Sequence, residues 1–420
     1  MNFRIFPKVF AADKAQRIFI KLSEPVATGA SVKLKVQPME SYGIEHTPRY
    51  RIDEEERYPY VEAKREGEDL YSLEYDFFSE QKYNVRVKID GCNLGSRQYV
   101  YSVGNDLLRL NPLKCDTHLH TCRSDGDGTP FEVGISYRSK GYDFIAVTDH
   151  HKMQPSLEAK EQFAALTDKF FVIRAEEVHN KGMGYFHIIN LGGEFSVNEI
   201  IEAEDGFAER EVERYLKDEY PEGTTPYICA YRRFVSDMIR RGGGVAVMAH
   251  PFWECFGEYN MPSRDVRYLL KSGCYDAVEL LAACDQNGNG NDMLIALWQE
   301  ILYEGVRVPV LGASDSHNAT DSDTLFNKQF SIVFAEGEGD VLEAVKQGRT
   351  VAVRMRDVAD FTVFGSFRLV KYARFLLDEY FPEYVRLAAN HASALMEKDN
   401  AVIAAAEREI EEYQGGFFAR

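Results

Sequence analysis

Apolar positions along this chain change rhythm twice. Up to about residue 112 they fall in short alternating or β-branched and aromatic runs. RIFIKL (17–22), SVKLKVQPM (31–39), LYSLEYDF (70–77) and YNVRVKI (83–89) are the clearest. Charged or turn-prone stretches separate them. A period of two marks a strand with one buried face, and several short strands at this spacing predict a small antiparallel β-sandwich. From about 113 to 355 strand-like runs alternate with helical ones. The strands are KCDTHLH, FIAVTDH, FFVIRAEEV, YFHIINLG, GVAVMAHP, AVELLA, VPVLGASDSH and KQFSIVF. Helical spacing occupies 130–140, 156–167, 226–241, 262–272, 291–304 and 339–347. Repeated β-then-α units predict a parallel sheet or barrel. Residues 356–420 have helical spacing, as in FRLVKYARFLLDEYFPEYVRLAA, and predict a helical extension. The expected domains are therefore a β-rich 1–112, an α/β 113–355 and a helical 356–420.

Composition narrows the class. A chain of 420 residues exceeds one domain of about 150. Its 45% hydrophobic and 28% charged content is that of a globular protein. No apolar run approaches the roughly 18 residues that span a bilayer, and the first residues lack the apolar core of a signal peptide. A cytoplasmic protein without membrane partners is expected. Seven cysteines, an odd number without a C-x-x-C pair, argue against a disulfide framework or a zinc ribbon. A net charge of −18 disfavours stable binding to nucleic acid, which depends on lysine and arginine neutralising phosphates. Bound cations would reverse that sign locally, so a small anionic substrate is compatible with it. Oligomeric state is not encoded in any of these features.

The chemistry lies in the middle segment. Eight of the ten histidines, at 118, 120, 150, 151, 179, 187, 250 and 317, fall within 200 residues of one another. Histidine is the commonest metal ligand. His118 and His120 sit two apart and share a face at a strand end, with Asp125 on the following loop. Asp315 and His317 repeat the spacing at the last strand. His150 ends FIAVTDH and His250 ends GVAVMAHP. In FFVIRAEEV, Phe171, Ile173, Ala175 and Glu177 share one face, and that face is apolar until its last member. Parity therefore selects Glu177 over Glu176. His187 competes with His179, which has the same parity as Glu177. His151 reads as a loop histidine. Asp116 is either a support for an imidazole or a buried hydrogen-bonded carboxylate. The nine candidates His118, His120, Asp125, His150, Glu177, His187, His250, Asp315 and His317 come from six segments and end on the strand face where barrel enzymes place their chemistry. They exceed the needs of one tetrahedral ion and suit two or three sharing a carboxylate. The acidic stretch 195–225 reads as an insertion on that face. Arg123 and Lys152 lie beside ligands and are candidates to clamp a substrate phosphate.

The ordered series DTHLHTCRSDG, VTDHH, AEEV, HIIN, AHP and GASDSH resembles the motifs of the polymerase and histidinol phosphatase (PHP) superfamily over about 113–355. The N-terminal β-domain is similar in layout to the carbaryl-hydrolase-like branch. The resemblance implies a distorted (β/α)7 TIM-like barrel of the PHP fold with two or three divalent ions, zinc, manganese or iron, held by the same nine residues. Arg123 within the first motif and the long stretch between His187 and His250 depart from the common pattern. The expected activity is that of a metal-dependent phosphoesterase. It would hydrolyse a small phosphomonoester or short phosphodiester through a metal-bound hydroxide, with Glu177 bridging the ions. The alternatives are a metallohydrolase of a carboxyl ester, carbamate or amide, because the same nucleophile attacks a carbonyl, and a catalytically inert binding or regulatory module.

Overall fold

The structure is a computed structural model in which residues 1–40, 58–179, 187–282, 289–320, 325–357 and 360–420 are described. Tyr185 and Phe186 of the YFHIINLG run lie outside them. The chain forms two units, one of residues 1–110, 374–383 and 408–420 and one of residues 111–373 and 384–407.

In the first unit the alternating runs become two sheets. One orders Phe3–Phe6, Lys14–Leu22, Leu70–Phe77 and Lys64–Arg65. The other orders Val9–Ala11, Gln98–Val103, Gln81–Ile89, Val32–Pro38 and Val61–Glu62, with Cys92–Asn93 paired to Gln81–Ile89. Ile18, Ile20 and Leu22 of the first sheet share one core with Leu34, Val36, Val85 and Val87 of the second. Their neighbours Lys21, Lys33 and Arg86 point away from it, as a strand period of two requires. The unit is therefore sandwich-like. Its helical residues join by aromatic contacts, with Tyr380 stacked on Tyr413 at 5.5 Å.

The second unit mixes strands and helices, but the parallel repeat expected from sequence is only partly followed. One sheet orders Phe171–Ile173, Phe144–Ala146, Asn111–Asp116, Gln329–Ala335, Thr350–Asp357 and Asp360–Gly365. The other orders Ala175–Val178, Ile188–Leu191, Val245–Met248, Ala277–Ala282 and Val310–Ala313. Ala175–Val178 and Ile188–Leu191 run antiparallel, as do Ile188–Leu191 and Val245–Met248. The link from Val178 to Ile188 is shorter than the dozen or so residues a parallel crossover needs. The described ladders form these two sheets and a small hairpin of Glu254–Cys255 with Glu258–Tyr259, rather than one closed ring. Isolated parallel bridges, Leu119 with Ser316 and His150 with Glu177, connect their ends.

Alternation sorts this unit's interior into two cores. Val245 and Val247 face an inner core with Ile189, Leu191, Ala277 and Leu311, closed by Val341, Ala344 and Val345 of the helix Val341–Lys346. Ala246 and Met248 face an outer core built with the helices Pro226–Arg241, Ser263–Lys271 and Asn289–Tyr303. Ile173 and Ala175 both line the inner core, so parity runs through the break at Arg174 and carries Glu177 to the top of that core. The acidic stretch 195–225 is more ordered than its composition suggests. It forms the helices Val197–Glu202 and Phe207–Tyr215, whose Val197, Ile201, Ala208 and Val212 are buried. Residues Asp360–Gly365, expected to be helical, form an edge strand on Thr350–Asp357. The three following helices are Phe367–Glu379, Phe381–Glu397 and Asn400–Phe417, and Pro382 fits the first turn of the second.

Candidate metal centre

The first motif is held by backbone bonds that cross between strand ends. His120 N donates to Ser316 O at 2.9 Å, and Asp315 N donates to His118 O at 2.9 Å. The two histidine-carboxylate motifs are thereby laced together. Thr148 N donates to Leu119 O and Glu177 N to Thr148 O, which adds the second and third strands. Gly126 N donates to Thr121 O, and a Cβ at Gly126 would lie 2.6 Å from His120 O, so only glycine permits the tight loop that brings Asp125 back. Asp315 adopts φ 52°, a left-handed conformation that aspartate tolerates better than most residues. Asp116 accepts from His118 N, Ser314 N and the Tyr137 hydroxyl, and is entirely buried. It is the hydrogen-bonded carboxylate of the two readings.

Around this frame the nine candidates converge. Glu177, with no solvent exposure, lies at the middle. Its Oε2 is 2.9 Å from His150 Nδ1, 3.4 Å from His118 Nε2 and 3.5 Å from His120 Nε2. Its Oε1 is 2.5 Å from His187 Nδ1 and 3.7 Å from His250 Nε2. Asp315 Oδ1 is 3.1 Å from His118 Nε2 and 3.0 Å from His120 Nε2. Asp125 Oδ2 lies 3.3 Å from His150 Nε2 and 3.4 Å from His317 Nε2. The competing His179 also arrives, its Nε2 3.7 Å from Glu177 Oε2 and its ring 4.2 Å from that of His187. His151 points instead to Glu202 at 3.0 Å. Glu176 occupies the opposite face, where Ser196 Oγ, Val197 N and the amides of Asn190 and Asn198 saturate it.

The donor chemistry fits divalent cations. Imidazole nitrogens and carboxylate oxygens suit zinc, manganese and iron alike. Groups able to ligate one ion together include His120, Asp125, His150 and His317, then His118, His120 and Asp315, then His118, Glu177 and His250. Several of these atoms are buried and make no hydrogen bond, namely His118 Nε2, both Glu177 oxygens and both His250 ring nitrogens. Buried polar atoms almost always find a partner, so this concentration of orphans marks a place built for something else. The electrostatics agree. Burial alone would raise Glu177 and Asp315, but neighbouring imidazoles, His187 and His118 foremost, outweigh it and hold both carboxyls well below their usual range. Burial opposes charging His150, yet Asp125 and Glu177 push it up to about 10. Burial lowers His187 to about 3. The carboxylates thus demand positive charge, which cations would supply.

The two expected phosphate clamps are engaged elsewhere. Arg123 forms a two-point ion pair with Glu158, at 2.7 and 3.0 Å, and Lys152 Nζ donates to Arg123 O at 2.7 Å. Sequence reasoning overlooked Glu279, whose carboxylate meets His118 Nδ1 at 2.9 Å and His250 N at 3.1 Å. A lone charge inside the apolar AVELLA strand was the available signal.

No family model matches the sequence, and no curated protein matches it. Solved structures do. One is a two-domain protein of Bacteroides vulgatus described as containing a predicted PHP-like metal-dependent phosphoesterase, 20% identical over 58% of this chain and 65% of that one, with a TM-score of 0.40. A second is described as a metal-dependent phosphoesterase of Bifidobacterium adolescentis, 17% identical over 56% and 96% of the two chains, at 0.38. A third is an amidohydrolase of Chromobacterium violaceum with bound sulfate, 19% identical over 49% and 87%, at 0.34. The first alignment spans less than two thirds of its partner's length. The chemistry of the site is carried by its own residues.

Proposed function

We propose that this chain is a metal-dependent hydrolase of the PHP type, and that its substrate is a small phosphomonoester or short phosphodiester. The observation that carries the reading is the convergence of five imidazoles, those of His118, His120, His150, His187 and His250, on the buried Glu177 carboxylate, with Asp315 and Asp125 set against members of the same group. The residues to hold two or three ions are His118, His120, Asp125, His150, Glu177, His187, His250, Asp315 and His317. His179 is placed to substitute for His187. Ions bound there would supply Lewis acidity and acidify water near neutral pH. Glu177 presents its two oxygens to different imidazole sets, the arrangement a shared ligand needs. Asp125, more exposed than the rest, ties His150 and His317 together at the open edge. Partly buried Asp315 places one oxygen against both His118 and His120.

A second reading, hydrolysis of a carboxyl ester, carbamate or amide, is favoured by one observation. Arg123 and Lys152 already have protein partners, so clamping a phosphate would require them to exchange these. The test is turnover by the full chain, stripped with chelator and reloaded with zinc, manganese or iron. Phenol release from aryl phosphomonoesters or aryl phosphodiesters supports the first reading. Turnover of aryl acetates and carbamates alone supports the second. Metal-loaded protein inert toward all of them leaves a binding or regulatory module and overturns both.

A further inference from the structure

We propose that Glu279 is a positioning residue that fixes two ligands at once, His118 by its ring and His250 by its backbone. The inference rests on the metal-centre reading above and deepens it. Glu279 sits in the otherwise apolar strand Ala277–Ala282 and has no solvent exposure. Ala277 faces the inner core, and Glu279 follows two residues later on the same face, aimed at the cluster. The strand register slips between Glu279 and Leu281, an irregularity of the kind that re-aims a side chain beside a site.

A buried carboxylate is costly unless its oxygens are hydrogen-bonded. Among the described residues its two hydrogen-bond partners, His118 Nδ1 at 2.9 Å and His250 N at 3.1 Å, belong to candidate ligand residues. As a carboxylate it accepts and cannot donate. The hydrogen of a neutral His118 ring must therefore sit on Nδ1, which leaves the Nε2 lone pair facing Glu177 and Asp315. The second oxygen holds the backbone where the chain leaves the Val245–Met248 strand, and so sets the direction of the His250 ring. Glutamine cannot do both. Its single carbonyl oxygen can serve one donor, and its amide would face the other donor with a hydrogen. The contrast with Glu176 separates the roles. That carboxylate is also buried and saturated, but by Ser196, Val197, Asn190 and Asn198, none of which is a ligand candidate.

The test is calorimetric titration of zinc into the full chain after chelator treatment. The expected result is that Glu279→Gln stays folded by circular dichroism yet loses about 10–100-fold in affinity at one of the wild-type zinc positions. Glu279→Asp, which keeps both acceptors on a shorter arm, should recover part of that loss. Nitrogen NMR of 15N-histidine-labelled, zinc-loaded wild-type protein reads the tautomer directly and does not depend on the variants folding. It should find His118 protonated at Nδ1 and bound through Nε2. A folded Glu279→Gln protein with wild-type stoichiometry and affinity, or a His118 bound through Nδ1, overturns the inference while leaving the metal centre standing. Wild-type protein that binds no zinc overturns both.

Discussion

Two buried polar clusters in the second unit both draw on histidine and aspartate and do opposite things with them. In one, Arg138 donates to His391 Nδ1 at 3.0 Å, to Tyr142 O at 2.9 Å and to the Tyr384 hydroxyl at 3.1 Å. Asp143 accepts from that hydroxyl and from Lys114 N, and Lys114 Nζ donates to Lys140 O and Asn327 Oδ1. Charge meets countercharge, with the Arg138 guanidinium 3.7 Å from Asp143, and the cluster pins the helix Phe381–Glu397 residues of its unit to the sheet, although Arg138 Nη2 and the Tyr142 hydroxyl make no hydrogen bond among the described residues. In the other, acidic and imidazole groups crowd together with ligand atoms left over. A network whose charges balance from within is architecture. One that crowds carboxylates and imidazoles with unmatched atoms is a candidate metal site.

The sharpest way to break this comparison is to exchange charges for neutral isosteres on each side. Glu177→Gln should abolish metal retention by elemental analysis and lower turnover more than about a thousandfold, since losing a residue that merely supports a ligand already costs about 10–100-fold. Its unfolding midpoint in the stripped protein should change far less than its activity. Arg138→Met should behave the other way. It strands Asp143 in a buried setting, and removing one partner of a buried pair costs about 3–5 kcal/mol, read as a lowered urea midpoint. Metal content per folded chain should not move. If Arg138→Met sheds metal as readily as Glu177→Gln, the two clusters are one energetic unit and the distinction collapses.

How far each cluster could be read from sequence follows from the same difference. The site announced itself through spacing, because His118 with His120 and Asp315 with His317 repeat a strand period, and parity through Ala175 placed Glu177 rather than Glu176 on the inner face. His179 and His187 could not be separated, since both have the right parity and both reach Glu177. Strand direction was hidden, because an apolar run has the same pattern whichever way it is paired. The helices at 197–215 were masked by surrounding acidic side chains, although Val197 and Ile201 sit one turn apart, as do Ala208 and Val212. The architectural cluster left no motif at all. Arg138, Asp143, Tyr384 and His391 are joined only by folding, across some 250 positions of chain.

That cluster has a pH signature of its own. Burial depresses Lys114 to about 7, against an ordinary value near 10.5, although Asp143 and Asp116 oppose the shift. The unfolded chain therefore keeps a proton between about pH 7 and 10 that the folded chain has released, and stability rises with pH across that window by at most about 1.4 kcal/mol per unit. Burial also raises Asp143 to about 6, with Arg138 the main opposing influence. Here the folded chain keeps a proton that the unfolded chain has lost, so this contribution is full below about pH 4 and fades as pH climbs through 6. The two together place the cluster's weakest point between about pH 6 and 7. Urea unfolding of chelator-stripped protein across pH 5 to 9 should show Lys114→Met removing the alkaline rise and Asp143→Asn removing the acid one. Lys114 also lies over the Tyr142 and Phe330 rings, at 4.2 and 4.4 Å, which favours its charged form and makes the alkaline slope the smallest of these effects. A stability difference between wild type and Lys114→Met that stays flat from pH 7 to 9 would show that those rings and the two acceptors hold the ammonium charged throughout.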